Sequence, residues 1–160
     1  MDNYVGTMSG DSTLYGVLSS AGGGGGGFDF NMSERSRGVE VFSFAYQTDM
    51  KSFTCNNTDD ISMQFDIKGS AFLGCSGLKT VRIERVNSIG GNAFSGCNSV
   101  TDYWFGGTFS GGVPALTVFS GMDISGAEGY KIHVPANLED SWKADSNWAS
   151  YADHIVGDYE

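Results

Sequence analysis

The sequence predicts a β-rich α/β fold: a short solenoid of stacked repeats with a C-terminal helical cap and an irregular glycine-rich N-terminal arm. The first reason is composition, because 24 of the 160 residues are glycine and only 2 are proline. Glycine enters left-handed backbone conformations without penalty, so its abundance indicates many turns and short elements. The second reason is a repeated motif, Ala-Phe-x-Gly-Cys, at residues 71–75 and 93–97. The third is an apolar strand pattern that follows each copy of the motif.

The repeat is clearest in residues 67–83 and 89–105, where every equivalent position lies 22 residues apart. After the motif, three apolar residues spaced as in Leu-x-x-Val-x-Ile predict a short strand whose alternate residues point inward. The small alanine of the motif allows neighbouring coils to stack closely, and its phenylalanine and cysteine fill the interior. One coil cannot bury its own apolar face, so the coils must stack for stability.

A degenerate copy of the repeat precedes these two. Segment 41–46 matches 67–72 in spacing, which places Tyr46 at the position of Phe72. Segment 50–55 then matches the strand of the next repeat. Terminal repeats of a solenoid are expected to be atypical, because they must cover apolar ends that no further repeat buries.

The repeats divide the chain into three parts. Residues 1–38 carry no repeat and are interpreted as an N-terminal attachment or oligomerisation arm, 39–134 as the solenoid and 135–160 as the capping segment. In the arm, a run of glycines is followed by alternating apolar and polar residues, which predict a strand. Glycine allows the close approach of another backbone. The candidate attachment residues are therefore Gly22, Gly23, Gly24, Gly25, Gly26, Gly27, Phe28 and Phe30.

The capping segment combines helical spacing with bulky apolar residues. Leu138 and Trp142 are four residues apart, and Trp148 and Tyr151 continue the apolar stripe. Residues three or four apart share one face of a helix. We expect this stripe to close the C-terminal end of the solenoid; the alternative is a ligand site formed by the tryptophans.

Charge and cysteine content exclude several classes of function. The formal net charge is −10, and nucleic-acid affinity depends on Lys and Arg, so neither nucleic acid nor an anionic membrane surface is an expected partner. No window approaches the roughly 18 apolar residues of a membrane span, so no membrane insertion is expected. The cysteines, Cys55, Cys75 and Cys97, are odd in number and widely spaced. We expect buried free thiols rather than disulfides or a zinc site.

The sequence contains no constellation of residues that supports catalysis. A hydrolase triad requires a histidine beside a nucleophile, and the two histidines, His133 and His154, stand in no such motif. Asp59 and Asp60 are interpreted as a solvated turn; the alternative is a calcium site, although the spacing of calcium-loop acids is absent. We predict a protein that is not an enzyme and that requires no cofactor or metal.

The repeat register predicts a row of side chains on the outer face of the strands. In each predicted strand, one outward-facing residue lies between the last two inward-facing residues. In successive strands this residue is Thr54, Arg82, Trp104 and His133. Stacked coils align these four residues as a candidate exposed binding ladder, and Arg and Trp are enriched in binding hot spots. The alternative is that another segment or a neighbouring subunit covers Trp104.

The two best repeats resemble the units of the BspA-like leucine-rich repeat family, which run Ile-x-x-x-Ala-Phe-x-Gly-Cys-x-x-Leu-x-x-Ile-x-Ile. The segment from Ile132 to Ile155 is also similar to the strand, Val-Pro-Ala, short helix and Asn-Trp finish of that family. The resemblance covers residues 39–156 and is absent from 1–38. It implies a short, non-enzymatic leucine-rich-repeat solenoid that is used for adhesion or recognition.

Members of that family lie on bacterial surfaces, and similar modules occur in structural proteins of phages that infect gut bacteria. The chain is short, shows no signal-peptide pattern and carries the glycine-rich arm, which together favour a location on a virion surface. The leading hypothesis is a phage capsid- or tail-associated structural protein that forms homo-oligomers and contacts other virion proteins. The alternative is a bacterial cell-surface or secreted adhesin domain that binds a host protein or glycan.

Overall fold

The computed structural model describes residues 13–14, 27–32, 38–56, 65–108, 110–116 and 124–159. Within them, strands form two sheets in which the neighbouring strands are parallel, and the helices are few and short. The coarse prediction of a β-rich α/β fold is therefore confirmed. None of the described helices is long and apolar enough to cross a membrane.

The chain alternates between the two sheets. In chain order the strands are β1 (Thr13–Leu14), β2 (Phe28–Met32), β3 (Gly38–Val39), β4 (Met50–Cys55), β5 (Asp66–Ile67), β6 (Thr80–Ile83), β7 (Ser88–Ile89), β8 (Asp102–Phe105), β9 (Ala115–Leu116), β10 (Lys131–Pro135) and β11 (Ile155–Tyr159). The larger sheet has the order β11-β10-β8-β6-β4-β2, and the smaller one has the order β1-β3-β5-β7-β9. Successive strands change sheet from β1 to β10, and β11 then adds to one edge of the larger sheet.

The 22-residue repeat sets the pairing of neighbouring strands. β6 pairs with β8 so that Val81 lies beside Tyr103 and Ile83 lies beside Phe105. All four side chains are buried, because alternate residues of a strand point to the same face. The core therefore lies between the two sheets, with the inward residues of each strand stacked on those of the next.

A column of phenylalanine rings runs through this core. The ring centroids of Phe44 and Phe72 are 5.1 Å apart and those of Phe72 and Phe94 are 4.9 Å apart. Beside the column, the Cys75 thiol donates a hydrogen bond to the carbonyl of Phe44, and the Cys97 thiol donates one to that of Phe72. The pKa of the Cys97 thiol is raised mainly by a hydrogen bond with Cys75 and, to a smaller extent, by burial. The three cysteines are buried, as predicted, and none of them forms a disulfide.

The first repeat is shifted by two residues from its predicted alignment. β3 pairs with β5 so that Val39 lies beside Ile67, and Phe44 rather than Tyr46 stacks on Phe72. Tyr46 is 67% exposed. The observed alignment leaves the tyrosine hydroxyl in water, whereas the predicted one would have buried a hydroxyl that needs a hydrogen-bond partner.

The turn segments that follow β3, β5 and β7 each contain two residues in the left-handed conformation. They are Phe42 (φ 60°) and Tyr46 (φ 62°), Ser70 (φ 57°) and Gly74 (φ 72°), and Asn92 (φ 59°) and Gly96 (φ 79°). A non-glycine side chain costs about 1–2 kcal/mol in this conformation. In the first coil both positions are aromatic, and Phe42 is 49% exposed, so burial does not offset the cost. The first coil therefore carries two strained aromatic residues on its surface.

The segment after β10 folds over the end of the core. It contains a 3₁₀ helix (Ala136–Leu138), the helix α1 (Glu139–Ala144) and a second 3₁₀ helix (Ala149–His154). Trp142 and Trp148 are fully buried, and Trp148 Nε1 donates a hydrogen bond to the carbonyl of Pro114 at 2.8 Å. Both tryptophans are therefore core residues rather than parts of an open ligand site. The segment ends in β11, a strand that the prediction of a helical cap did not include.

The described part of the N-terminal segment belongs to the two sheets. β1 pairs with β3, and β2 pairs with β4. The predicted boundary after residue 38 therefore does not coincide with an end of either sheet, because the apolar residues of β2 extend the same core.

Candidate recognition surface

The outer face of the larger sheet carries a continuous row of side chains, which we call the outer row. Neighbouring strands place its members side by side in the order Asn31, Thr54, Arg82, Trp104, His133 and Val156. The row exists because the strands are parallel and pair at equivalent positions of the repeat. The four candidate residues predicted from the sequence are therefore direct neighbours.

Exposure along the outer row is lower than predicted. Thr54, Arg82 and Trp104 are half-buried, and His133 is 8% exposed. The reason is lateral packing, since the rings of Trp104 and His133 stack with their centroids 3.7 Å apart and an interplanar angle of 10°. The expected exposed ladder is therefore corrected to a packed row. Whether these residues bind a partner stays a prediction.

Trp104 has a neighbour on each side along the row. His133 lies on one side, and on the other the guanidinium carbon of Arg82 lies 5.5 Å from the centre of the tryptophan ring. The ring of Tyr159 meets Trp104 edge-on at 5.7 Å and lies 4.6 Å from the same guanidinium. Cation–π contacts of this kind contribute about 0.5–2 kcal/mol. The tryptophan is thus held in one orientation by three side chains.

His133 is held between two carboxylates. Its Nε2 lies 2.7 Å from Oδ1 of Asp102, and its Nδ1 lies 2.7 Å from Oδ1 of Asp158. Each ring nitrogen therefore has a carboxylate oxygen within hydrogen-bond distance, and the two acids together fix the orientation of the ring. At Asp102, burial opposes ionisation, but hydrogen bonds with His133 and Thr101 outweigh it and lower the pKa of the carboxyl group.

The lowered pKa of Asp102 predicts a specific acid dependence of stability. Because the folded-state pKa lies below the ordinary value of 3.8, the carboxylate contributes stability above that pH, and the contribution is lost as the pH falls through the folded-state pKa. Between about pH 4 and pH 2, the Tm of the natural protein is expected to fall more steeply than that of Asp102→Asn. The Asp102 carboxylate contributes less than about 1 kcal/mol to the free energy of unfolding, since its pair with His133 is partly solvated. Thermal unfolding across this pH range measures it, and parallel curves would contradict it.

Tyr159 is a member of this cluster that the sequence prediction missed. It is 5% exposed at the end of β11, and burial, together with the nearby carboxylate of Glu84, raises its pKa. Glu84 also accepts a hydrogen bond from Nε of Arg82 at 3.3 Å. The sequence does not reveal this position, because the pairing of β11 with β10 shifts by one residue after His133. Ile155 therefore lies in the core, whereas Tyr159 contacts Trp104 on the outer face.

The predicted attachment residues are only partly described. Gly22 to Gly26 lie outside the described residues, so their role stays a prediction, and Gly27 precedes β2 with a left-handed φ of 74°. Phe28 and Phe30 are 4% and 1% exposed, and the Phe30 ring packs on that of Phe44 with centroids 4.9 Å apart. These two side chains are core residues, so the expectation of attachment through them is corrected.

Asp59 and Asp60, the alternative calcium ligands, lie outside the described residues. Within the part of the chain that the structure describes, no three His, Cys, Asp or Glu side chains are grouped to hold a metal ion.

No family model, curated protein or solved structure matches the chain. Its function is therefore inferred from the geometry of the outer row.

Proposed function

We propose that this protein is a non-enzymatic structural protein of a phage particle, and that it recognises another protein through its outer row. The observation that carries the proposal is the contact between Arg82, Trp104 and His133 on three neighbouring strands. Trp and Arg are the residue types most enriched in binding hot spots. Side chains that are already fixed lose less conformational entropy on binding, and these are fixed by their own neighbours.

A protein partner suits the outer row better than a glycan does. A sugar ring stacks on a tryptophan through an open ring face, but His133 and Arg82 lie on the two sides of Trp104. Protein interfaces, in contrast, surround a packed centre with a polar rim. A second outward row offers such a rim, and it consists of Asp29, Ser52, Thr80, Asp102 and Lys131.

The fold that we propose is a leucine-rich-repeat solenoid of the BspA-like type. Support comes from the Ala-Phe-x-Gly-Cys motif, from the 22-residue pairing of β5 with β7 and of β6 with β8, and from the alternation of the chain between two parallel sheets. Stacked repeats present extended surfaces that suit recognition. Contact with sister copies is assigned, on this proposal, to the N-terminal segment, and recognition of other proteins on the particle is assigned to the outer row.

The location of the protein separates this proposal from the alternative, a bacterial surface or secreted adhesin. Antibodies against the chain are applied to phage particles and to cell envelopes from cultures that express the gene, and are located by immunogold electron microscopy. We expect label on the particles. Label confined to envelopes or to secreted material contradicts the virion proposal and favours the adhesin. Light scattering of the purified chain measures whether it forms a homo-oligomer.

Trp104→Ala is expected to weaken binding of the purified chain to its particle or envelope by at least about 30-fold. This factor corresponds to about 2 kcal/mol of binding free energy, the loss that is typical of a hot-spot residue. The substitution removes the ring that both Arg82 and His133 contact. Surface plasmon resonance on immobilised particles or envelopes measures the Kd. Thr54→Ala, in the same row, is the matched control, with a change below about twofold. An unchanged Kd for Trp104→Ala, or equal losses for both variants, contradicts recognition through Trp104.

A further inference from the structure

Three exposed apolar side chains lie on the turn segment that follows β3. Val41, Phe42 and Tyr46, which we call the first-coil patch, are 54%, 49% and 67% exposed. A hydrogen bond from the N–H of Ala45 to the carbonyl of Phe42, at 3.1 Å, keeps them within one tight turn. In the described part of the chain, no other large apolar side chain is exposed. Exposed apolar surface that is concentrated in this way is typical of an interaction site.

The neighbouring repeats show that folding does not require these side chains. Phe42 and Tyr46 both have a left-handed backbone, which is strained for an aromatic residue. The next two coils reach the same conformation with small or polar residues, which are Ser70 and Gly74 in one coil and Asn92 and Gly96 in the other. Strained residues persist at functional sites, where the strain serves a purpose other than stability. The strain in the first coil therefore indicates a function for its two aromatic rings.

The ring of Tyr46 is held in place by the second coil. A Cβ atom at Gly74 would lie 2.5 Å from Cδ1 of the Tyr46 ring, so the ring lies directly over the glycine. The glycine leaves room for this contact, and the tyrosine is still 67% exposed. A side chain that is already fixed loses less conformational entropy when a partner binds. Tyr46 is therefore prepared for an interface.

We propose that the first-coil patch is an interface between two copies of this chain that are related by a two-fold axis. Val41 and Phe42 carry no hydrogen-bonding side-chain groups, so the patch suits an apolar surface better than it suits a sugar. In its described part, a second copy has no other exposed large apolar side chains, so it covers the patch with apolar surface by presenting the same patch. An interface in which both copies use the same residues is the commonest kind in homo-oligomers.

The area of the patch fits a weak dimer. A whole aromatic side chain buries about 150–250 Å², so the exposed parts of the three side chains amount to roughly 300 Å² per copy, or about 600 Å² for two copies. Interfaces are roughly 60% apolar by area. The patch therefore corresponds to a total interface of about 1,000 Å², which is near the lower limit for a specific contact. We expect a dimer whose population depends on the concentration of the chain.

The distribution of charge allows two copies to meet at this patch. Glu40 and Asp49 flank it in the sequence, Lys51 follows, and Lys68 is the counterpart of Glu40 in the next coil. These four charges balance. Acids are concentrated instead in residues 124–159, which contain six Asp and Glu residues and two lysines. Three strand spacings separate β4 from β10, about 14 Å, which exceeds the Debye length of about 8 Å. The acidic ends therefore do not prevent the contact.

Sedimentation equilibrium of the full chain, from micromolar to millimolar concentrations, tests the proposal. We expect a monomer–dimer equilibrium, and a Kd at least about 30-fold higher when Phe42→Asn and Tyr46→Asn are combined, since aromatic rings dominate such interfaces. Asparagine tolerates the left-handed backbone, so the Tm of this variant is expected to be unchanged or higher. On dilution of the nitrogen-15-labelled natural chain, we expect the amide signals of Val41, Phe42 and Tyr46 to shift.

Trp104→Ala is the matched control, because it removes an aromatic ring from the outer row and leaves the first-coil patch intact. Its dimer Kd is expected to equal that of the natural chain. This contact is additional to the one assigned to the N-terminal segment, and it holds whether or not the outer row recognises a phage protein. A chain that stays monomeric at every concentration overturns the proposal. So does a dimer that the double variant retains, or one that Trp104→Ala weakens equally, because association then uses another surface.

Discussion

Replacing Phe72 with alanine is expected to lower the free energy of unfolding by about 3–5 kcal/mol. The Phe72 ring is fully buried between those of Phe44 and Phe94, and it meets the ring of Phe53 edge-on at 4.8 Å. Alanine therefore removes contacts with three rings and leaves a cavity in the column. Since domains of this size are stable by about 5–15 kcal/mol, the variant is expected to lose a large part of its stability.

Urea unfolding followed by circular dichroism measures this loss. Phe42→Asn is the matched control, because Phe42 is an exposed aromatic residue with a φ of 60°. Asn92 has a similar conformation in a later coil, and asparagine tolerates it better than most residues. We expect this control to be neutral or to stabilise the protein by up to about 1 kcal/mol. Similar destabilisation by both substitutions would contradict the assignment of Phe72 to the core column.

Gly90→Ala is expected to cost about 3 kcal/mol, at the upper end of the usual range for overpacking. A Cβ atom at residue 90 would lie 2.7 Å from the carbonyl carbon of Lys68 and 2.8 Å from Cα of Gly69. Both are backbone atoms of the neighbouring coil, which cannot rotate away as a flexible side chain can. The substitution pushes the coils apart where the Gly90 N–H donates to the carbonyl of Ile67 at 2.7 Å.

The control for Gly90→Ala is Gly111→Ala. Gly111 has a left-handed φ of 85°, and a Cβ atom there would meet no other atom within 4 Å. Its substitution costs only the backbone strain, about 1 kcal/mol. Thermal and urea unfolding of both variants compare the two effects. If Gly111→Ala costs as much as Gly90→Ala, close stacking of the coils is not the cause.

The register of residues 67–105 is predictable from sequence, because two repeats that share the Ala-Phe-x-Gly-Cys motif and the apolar spacing around it can be superposed in only one way. The neighbours Arg82 and Trp104 in the outer row follow directly from it. The first repeat is harder, because Phe42, Phe44 and Tyr46 alternate and satisfy the same pattern in two registers. Burial selects the register that places Phe44 in the core, and a spacing pattern contains no information on burial.

Other features depend on contacts between segments that are distant in sequence. Strands such as β5 and β7 have two residues each, which is too few for an alternating pattern. One of the two carboxylates that hold His133 belongs to Asp158, which β11 brings beside it.

The strand order of the larger sheet has a consequence for folding during synthesis. Its strands β2, β4, β6, β8, β10 and β11 lie side by side in the order in which a ribosome makes them. Paired residues in neighbouring strands are 22 to 29 positions apart, so at roughly 5–20 residues per second a new strand emerges every few seconds. Because β11 follows the other strands in the sequence, Asp158 and Tyr159 are synthesised after the strands that carry His133 and Arg82. The topology therefore allows the earlier coils to fold before the outer row is complete.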